Sequence, residues 1–255
     1  MPLEIVTVPC LSDNYAFLAH DPETGTTAVV DVPEAAPILA ALETRGWRAD
    51  VVLLTHHHAD HVQGLGALSE RFSPRVVGAA ADAHRLPPLD AALREGDTVE
   101  IGAERGTVIE VPGHTVGHIA FHFPASRAAF TADSLMAFGC GRVFEGTMAQ
   151  MWDSLSKLAA LPPETMIYSG HEYTLANGNF ARSVEPGNAR LISRGEESET
   201  ARAEGRPTVP SQLALELETN PFLRPESAEI RDTVGLPDAP ARDVFAAVRR
   251  RKDDF

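Results

Sequence analysis

The run Thr55-His56-His57-His58-Ala59-Asp60-His61 concentrates imidazole and carboxylate donors, the groups that bind divalent metals and move protons. It follows the apolar stretch Val51-Val52-Leu53-Leu54 and precedes a helical pattern that starts near Val62. Side chains alternate along an extended segment, so His56, His58 and Asp60 face one way and His57 the other. Asp60 and His61 then sit where the helix begins. Donors converging at the end of a buried strand are costly unless they bind something, which argues against a solvated histidine-rich loop. Three further candidates stand at strand ends: His114 in VPGHTVGH, Asp133 in FTADS and His171 in YSGHEY. Five histidines and two aspartates are too many for one tetrahedral ion with an open position. They suit two ions about 3.5–4 Å apart with one bridging carboxylate. The mixed donor set fits zinc, our first choice, and also iron or manganese.

Elements must bring these residues together. Up to about Gly170, short β-branched runs alternate with turn residues: LEIVTV, YAFLAH, TTAVVDV, DVVLLTH, RVVGA, TVEIG, TVIEVPG, HIAFHF, RAAFTAD and TMIYSG. Between them ILAALETRG, VQGLGALSERF and MAQMWDSLSKLAAL have helical periodicity, the last with Thr147 as N-cap. From Tyr173 the texture turns polar and helical, with SQLALELE stopped at Asn220-Pro221 and ARDVFAAVRRRKDD as a last helix. The expectation is an α/β catalytic domain over residues 1–172 and a helical, substrate-binding domain over 173–255.

The chain has 255 residues, 36 acidic against 22 Lys and Arg, and a formal charge of −14. Such a charge repels phosphate backbones and disfavours nucleic acid as a partner. Two cysteines, Cys10 and Cys140, make no disulfide framework. No apolar run reaches the roughly 18–20 residues of a membrane span, and Met1 to Cys10 lacks the pattern of a signal peptide. A cytoplasmic monomer with neither membrane nor nucleic-acid partners is expected.

The THHHADH run resembles the signature of the metallo-β-lactamase superfamily, with Ala59 at its variable position. The chain is more closely similar to one member family, glyoxalase II, the hydroxyacylglutathione hydrolases. LSDNY, THHHADH, VPGHTVGH, FTADS, GCGRVFEGT, YSGHEYT, FARSVEP, VPS, NPFLR and VRRRKDDF occur in order over most of its length. The resemblance implies an αββα sandwich with a C-terminal helical subdomain. It implies that His56, His58 and His114 hold one metal, and Asp60, His61 and His171 the second. Asp133 would bridge them together with a water or hydroxide. It also implies that Arg142, Phe144, Tyr173, Asn177, Arg249 and Lys252 surround a glutathione site. The implied substrate is an S-acylglutathione, typically S-lactoylglutathione, cleaved to D-lactate and glutathione in the second step of methylglyoxal detoxification. One departure stands out: the family often has Tyr where this chain has Phe144, so a hydroxyl is lost.

The chemistry is consistent with that substrate. A metal lowers the pKa of bound water to about 7 and polarises a carbonyl. A thiolate leaves readily because its conjugate acid, like free Cys, has a pKa of about 8.5. Asp60 and Asp133 would anchor and orient the hydroxide. Arg142 and the Arg249–Lys252 cluster would offset the chain's acidity beside an anionic thiol; solvated cations at a helix C-terminus are the alternative for that cluster. His57 and His118 are expected to orient neighbours or pack, His20, His84 and His122 to be structural, and Cys140 to be a buried hydrophobe. Rival functions are a persulfide dioxygenase with a single iron, a hydrolase of another low-molecular-weight thiol ester, a structural metal module and a nuclease.

Overall fold

The β-branched runs become strands and the periodic stretches become helices throughout residues 1–255, all described by the computed structural model. The chain divides into two units, Met1–Glu110 with Val116–Thr131, and Val111–Thr115 with Ala132–Phe255.

The first unit begins with β1 (Glu4–Cys10), β2 (Asn14–His20), β3 (Thr27–Val30), α1 (Ala35–Arg45), β4 (Val51–Leu53), α2 (Ala59–Val62), α3 (Leu65–Phe72), β5 (Arg75–Ala79) and β6 (Ala91–Leu93). Its first sheet runs β1-β2-β3-β4-β5-β6. The β1, β2 and β3 pairings are antiparallel, whereas β3 to β6 are parallel. Parallel strands need crossovers, and α1 supplies the one between β3 and β4. It stops at Gly46, whose φ of 67° is the left-handed conformation glycine adopts without strain.

The same unit continues with β7 (Thr98–Ile101), β8 (Glu104–Glu110), β9 (Ile119–Phe123) and β10 (Ala128–Ala132), an antiparallel meander. Phe17 of β2 meets Phe130 of β10 at 5.7 Å between ring centroids, joining the two sheets through an apolar core. Asp21 ties their turns together, its carboxylate accepting the main-chain N–H of Ala103 at 2.8 Å and of Glu23 at 2.9 Å.

The helix expected from Val62 instead starts at Ala59 and breaks after one turn. At Gly64 the main-chain N–H donates to the Val32 carbonyl at 2.9 Å instead of to the helix, and a Cβ there would stand 2.9 Å from the same oxygen. That close approach ends α2 and starts α3.

The second unit holds β11 (Leu135–Met136), β12 (Gly139–Cys140), α4 (Met148–Ala159), β13 (Met166–Ser169), α5 (Thr174–Val184), α6 (Ala189–Ala203), β14 (Ser211–Gln212), α7 (Leu213–Thr219), α8 (Ala228–Thr233) and α9 (Ala241–Asp253). Thr147 caps α4 as expected, in a reciprocal capping box with Gln150. The polar stretch after Tyr173 is two helices rather than one. Pro186-Gly187 separates them, and the Asn188 side chain accepts from Leu191 N to start α6. Helix α8 lacks a clear periodic pattern and was not anticipated.

Candidate metal ligands and substrate surface

In the first unit, strand β4 delivers Thr55 and His56 to its carboxyl end, and α2 carries Asp60 and His61. One residue organises them. Asp31, at the end of β3, accepts from Thr55 N (2.9 Å) and Thr55 Oγ1 (2.7 Å), and pairs with His61 Nδ1 (2.7 Å). Its φ of 56° is unusual for a non-glycine residue and is held by these bonds. Thr55 Oγ1, whose hydrogen points to Asp31, accepts from His56 Nδ1 at 3.0 Å.

These bonds assign the Nδ1–H tautomer to His56 and His61, so Nε2 is the lone-pair donor on each ring. Ligating histidines are oriented in this manner by a bond to the other nitrogen. Both rings are fully buried, and their centroids lie 4.2 Å apart, with that of His58 4.7 Å from His56. Asn14, from the LSDNY motif, donates to Asp60 Oδ2 at 3.0 Å and fixes that carboxylate.

His57 faces away, as the alternation predicts: its Nδ1 bonds Asp82 Oδ2 at 2.9 Å. His118 stacks on His56 with 4.7 Å between ring centroids. His20 stacks on Trp47 at 4.1 Å. Burial pushes the His122 imidazole below its ordinary pKa.

In the second unit, His114 and His171 direct Nε2 at the same oxygen, Asp133 Oδ2, at 3.4 and 3.3 Å. His114 Nδ1 donates to the Arg142 carbonyl at 2.8 Å, which again leaves Nε2 as the donor atom. All three residues are at least nine-tenths buried. Two imidazole nitrogens thus lie within 3.4 Å of one carboxylate oxygen, close enough for all three groups to serve as metal donors. In both units the donor set and its outer hydrogen bonds therefore fit divalent metals.

The six substrate candidates all lie in the second unit but differ in presentation. Phe144 and Tyr173 are exposed; Phe144 lies 5.2 Å from the His114 ring, and Tyr173 stacks on His171 at 4.6 Å. Arg142 has an exposed side chain, with Nε 4.0 Å from Asp253. Lys252 reaches the Ala176 carbonyl at 3.3 Å and lies over the Phe180 ring; burial, then Arg249 and Arg142, lower its pKa. Asn177 and Arg249 point inward. Asn177 donates to the Ala137 carbonyl at 3.1 Å and Arg249 to that of Cys140 at 2.9 Å. Cys140 is buried, and desolvation raises its thiol pKa against the opposing pull of Arg249, so it is no nucleophile.

Sequence reasoning missed Asp31 and Asp82. An aspartate directly after the buried strand Thr27-Ala28-Val29-Val30 was the available signal for Asp31. Nothing comparable marked Asp82.

The comparisons with known proteins agree with these motifs. A family model described as hydroxyacylglutathione hydrolase C-terminus matches residues 172–255, and one for the metallo-beta-lactamase superfamily matches 23–171. A hydroxyacylglutathione hydrolase from Cereibacter sphaeroides is 66% identical over 255 residues, covering 100% of both chains. This chain belongs to the hydroxyacylglutathione hydrolase family. As a family member it is a metal-dependent hydrolase with the metallo-β-lactamase fold and a helical C-terminal region. Among solved structures, ETHE1 from Myxococcus xanthus matches with TM-score 0.65 and 26% identity, covering 99% of this chain and 98% of that one. TTHA1623, solved in a di-iron-bound form, matches with TM-score 0.61 and 25% identity, covering 86% of this chain and 100% of that one.

Proposed function

We propose that this protein hydrolyses S-acylglutathione thioesters, with S-lactoylglutathione as the typical substrate, yielding D-lactate and glutathione. The observation that carries the reading is the second unit's convergence of His114 and His171 on Asp133, with the Arg142 carbonyl bonded to His114 and the Tyr173 ring stacked on His171. Ligand and substrate residues thereby share one short set of segments. Full-length identity to named hydroxyacylglutathione hydrolases supports the substrate class. The persulfide dioxygenase reading has less support, because the C-terminal model matched is the hydrolase's own.

We assign His56, His58 and His114 to one ion, Asp60, His61 and His171 to the other, and Asp133 to both. Zinc is the first choice, with iron or manganese as alternatives. When bound, two such ions supply hydroxide near neutral pH and polarise the thioester carbonyl. The chain's own residues do the rest. Asp31 and Thr55 fix His61 and His56, and Asn14 fixes Asp60. Asp60 and Asp133 orient the attacking water. Arg142 and Lys252 attract the carboxylates of glutathione, while Tyr173 and Phe144 offer ring faces to its backbone. Arg249 and Asn177 act on the same surface by holding the chain beneath it.

The division into residues 1–172 and 173–255 and the cytoplasmic, monomeric state belong to the same proposal. No helix is long and apolar enough to cross a membrane. A panel of thioesters tests the reading: S-lactoylglutathione should be cleaved far faster than S-lactoyl esters of other small thiols. Equal or greater activity on another thiol would reassign the substrate.

A further inference from the structure

The β11–β12 hairpin lies between two functional residues, with Asp133 just before it and Arg142 just after. Strands of two residues do not hold themselves in place. Side chains from the helical region grip this hairpin by its main chain. Asn220 Nδ2 donates to the carbonyls of Met136 and Gly139, each at 3.0 Å. Asn177 takes the Ala137 carbonyl and Arg249 that of Cys140. At the turn, Phe138 N donates to Glu216 Oε2 at 2.9 Å.

Glu216 is the centre of this arrangement. It is fully buried and also accepts from Ser211 Oγ at 2.6 Å, from Asn220 Nδ2 at 3.1 Å and from Arg194. The Arg194 guanidinium in turn lies 3.8 Å from the Phe138 ring centroid. Phe138 has a φ of 56°, a conformation a bulky side chain keeps only when its surroundings impose it.

The base of the hairpin has no slack. Gly141 N donates to Ser134 O at 3.1 Å. A Cβ on Gly141 would stand 2.0 Å from the Asp133 carbonyl oxygen and 3.1 Å from His114 Nδ1. The Arg142 carbonyl orients His114. A displaced hairpin must therefore displace the Asp133 and His114 side chains.

We infer that Glu216, with Asn220 and Arg194, is a positioning residue for the metal centre, setting Asp133 and His114 through the hairpin that Phe138 anchors. This rests on the ligand assignment of the proposed function. It gives the C-terminal helices a part in metal binding beyond substrate contact.

The test is Glu216→Gln, which keeps the size of the side chain. Every neighbour of Glu216 is a donor, so the new amide nitrogen must face one of them. Zinc affinity is read by competition with a chromophoric chelator, and hairpin order by hydrogen exchange at the Phe138 amide. The expected result is faster exchange at Phe138 and zinc affinity lower by about 10–100-fold, the range for losing an outer orienting group. kcat should fall with little change in KM. Val184→Ala, a buried α5 substitution outside the network, should lower thermal stability while leaving zinc affinity at the wild-type level. Asn220→Ser gives the same readings if Glu216→Gln fails to accumulate. Faster exchange with unchanged zinc affinity would overturn the inference, as would equal zinc loss in Val184→Ala. Wild-type protein that held no zinc, iron or manganese would instead contradict the ligand assignment itself.

Discussion

Arg249 donates from Nη1 to the main-chain carbonyl of Cys140 at 2.9 Å, with a side chain only 3% exposed. Its other terminal nitrogen pairs with Asp253 at 3.0 Å. Truncating it leaves a buried carbonyl without its donor, at a cost of about 1–3 kcal/mol. Arg249→Ala should therefore lower Tm and kcat as well as raise KM. Arg142→Ala, at an exposed position, should raise KM several-fold and leave Tm unchanged. Thermal unfolding beside steady-state kinetics checks this; a pure KM effect in Arg249→Ala would make it a substrate ligand alone.

Lys252 gives the alkaline side of substrate binding a sign. Burial, Arg249 and Arg142 all lower its pKa, so it loses its charge below the ordinary lysine value of about 10.4. KM for S-lactoylglutathione should rise as pH climbs through that lowered pKa, because the cation facing the carboxylates disappears. Lys252→Arg, which stays protonated, should flatten the rise. A KM profile identical in the two proteins would remove Lys252 from the site.

Phe144 is 62% exposed, so a hydroxyl added to its ring meets water and substrate rather than an apolar wall. No burial penalty offsets a new hydrogen bond of about 0.5–1.5 kcal/mol. Phe144→Tyr should lower KM for glutathione thioesters by roughly two- to tenfold, with kcat little changed. An unchanged KM would place residue 144 outside the thiol site.

The difference between Arg249 and Phe144 shows where the sequence was readable. The places of the candidate donors at strand ends were legible, because the alternation that turns His57 toward Asp82 is a property of extended chain. The strands and the caps of α4 and α7 followed from local pattern. The direction of a long side chain did not. Arg249 sits among exposed arginines in sequence, and only tertiary packing turns it toward Cys140. Gly64 likewise gave no sign that its backbone lies against Val32, which is what splits α2 from α3. Asp31, Asp82 and Glu216 act across long sequence separations, and no spacing rule reports those.

Asp21 links stability to acid. Hydrogen bonds from Ala103 N and Glu23 N hold its carboxyl down to about 2. A lowered folded pKa contributes stability above the unfolded value of about 3.9 and loses it as pH falls through the folded value. Asp21→Asn should melt below wild type at neutral pH, and the gap should close between about pH 4 and pH 2. A gap independent of pH would mean the carboxylate charge is irrelevant to the turn.

The proposed two-ion centre shared through Asp133 is checked by metal stoichiometry measured together with thioester hydrolysis on one preparation. Active wild-type protein should hold two divalent ions per chain. Asp133→Ala should lose both metal and S-lactoylglutathione hydrolysis, since a bridging carboxylate would belong to both ions. Full activity with one ion per chain, or an active Asp133→Ala, would contradict it.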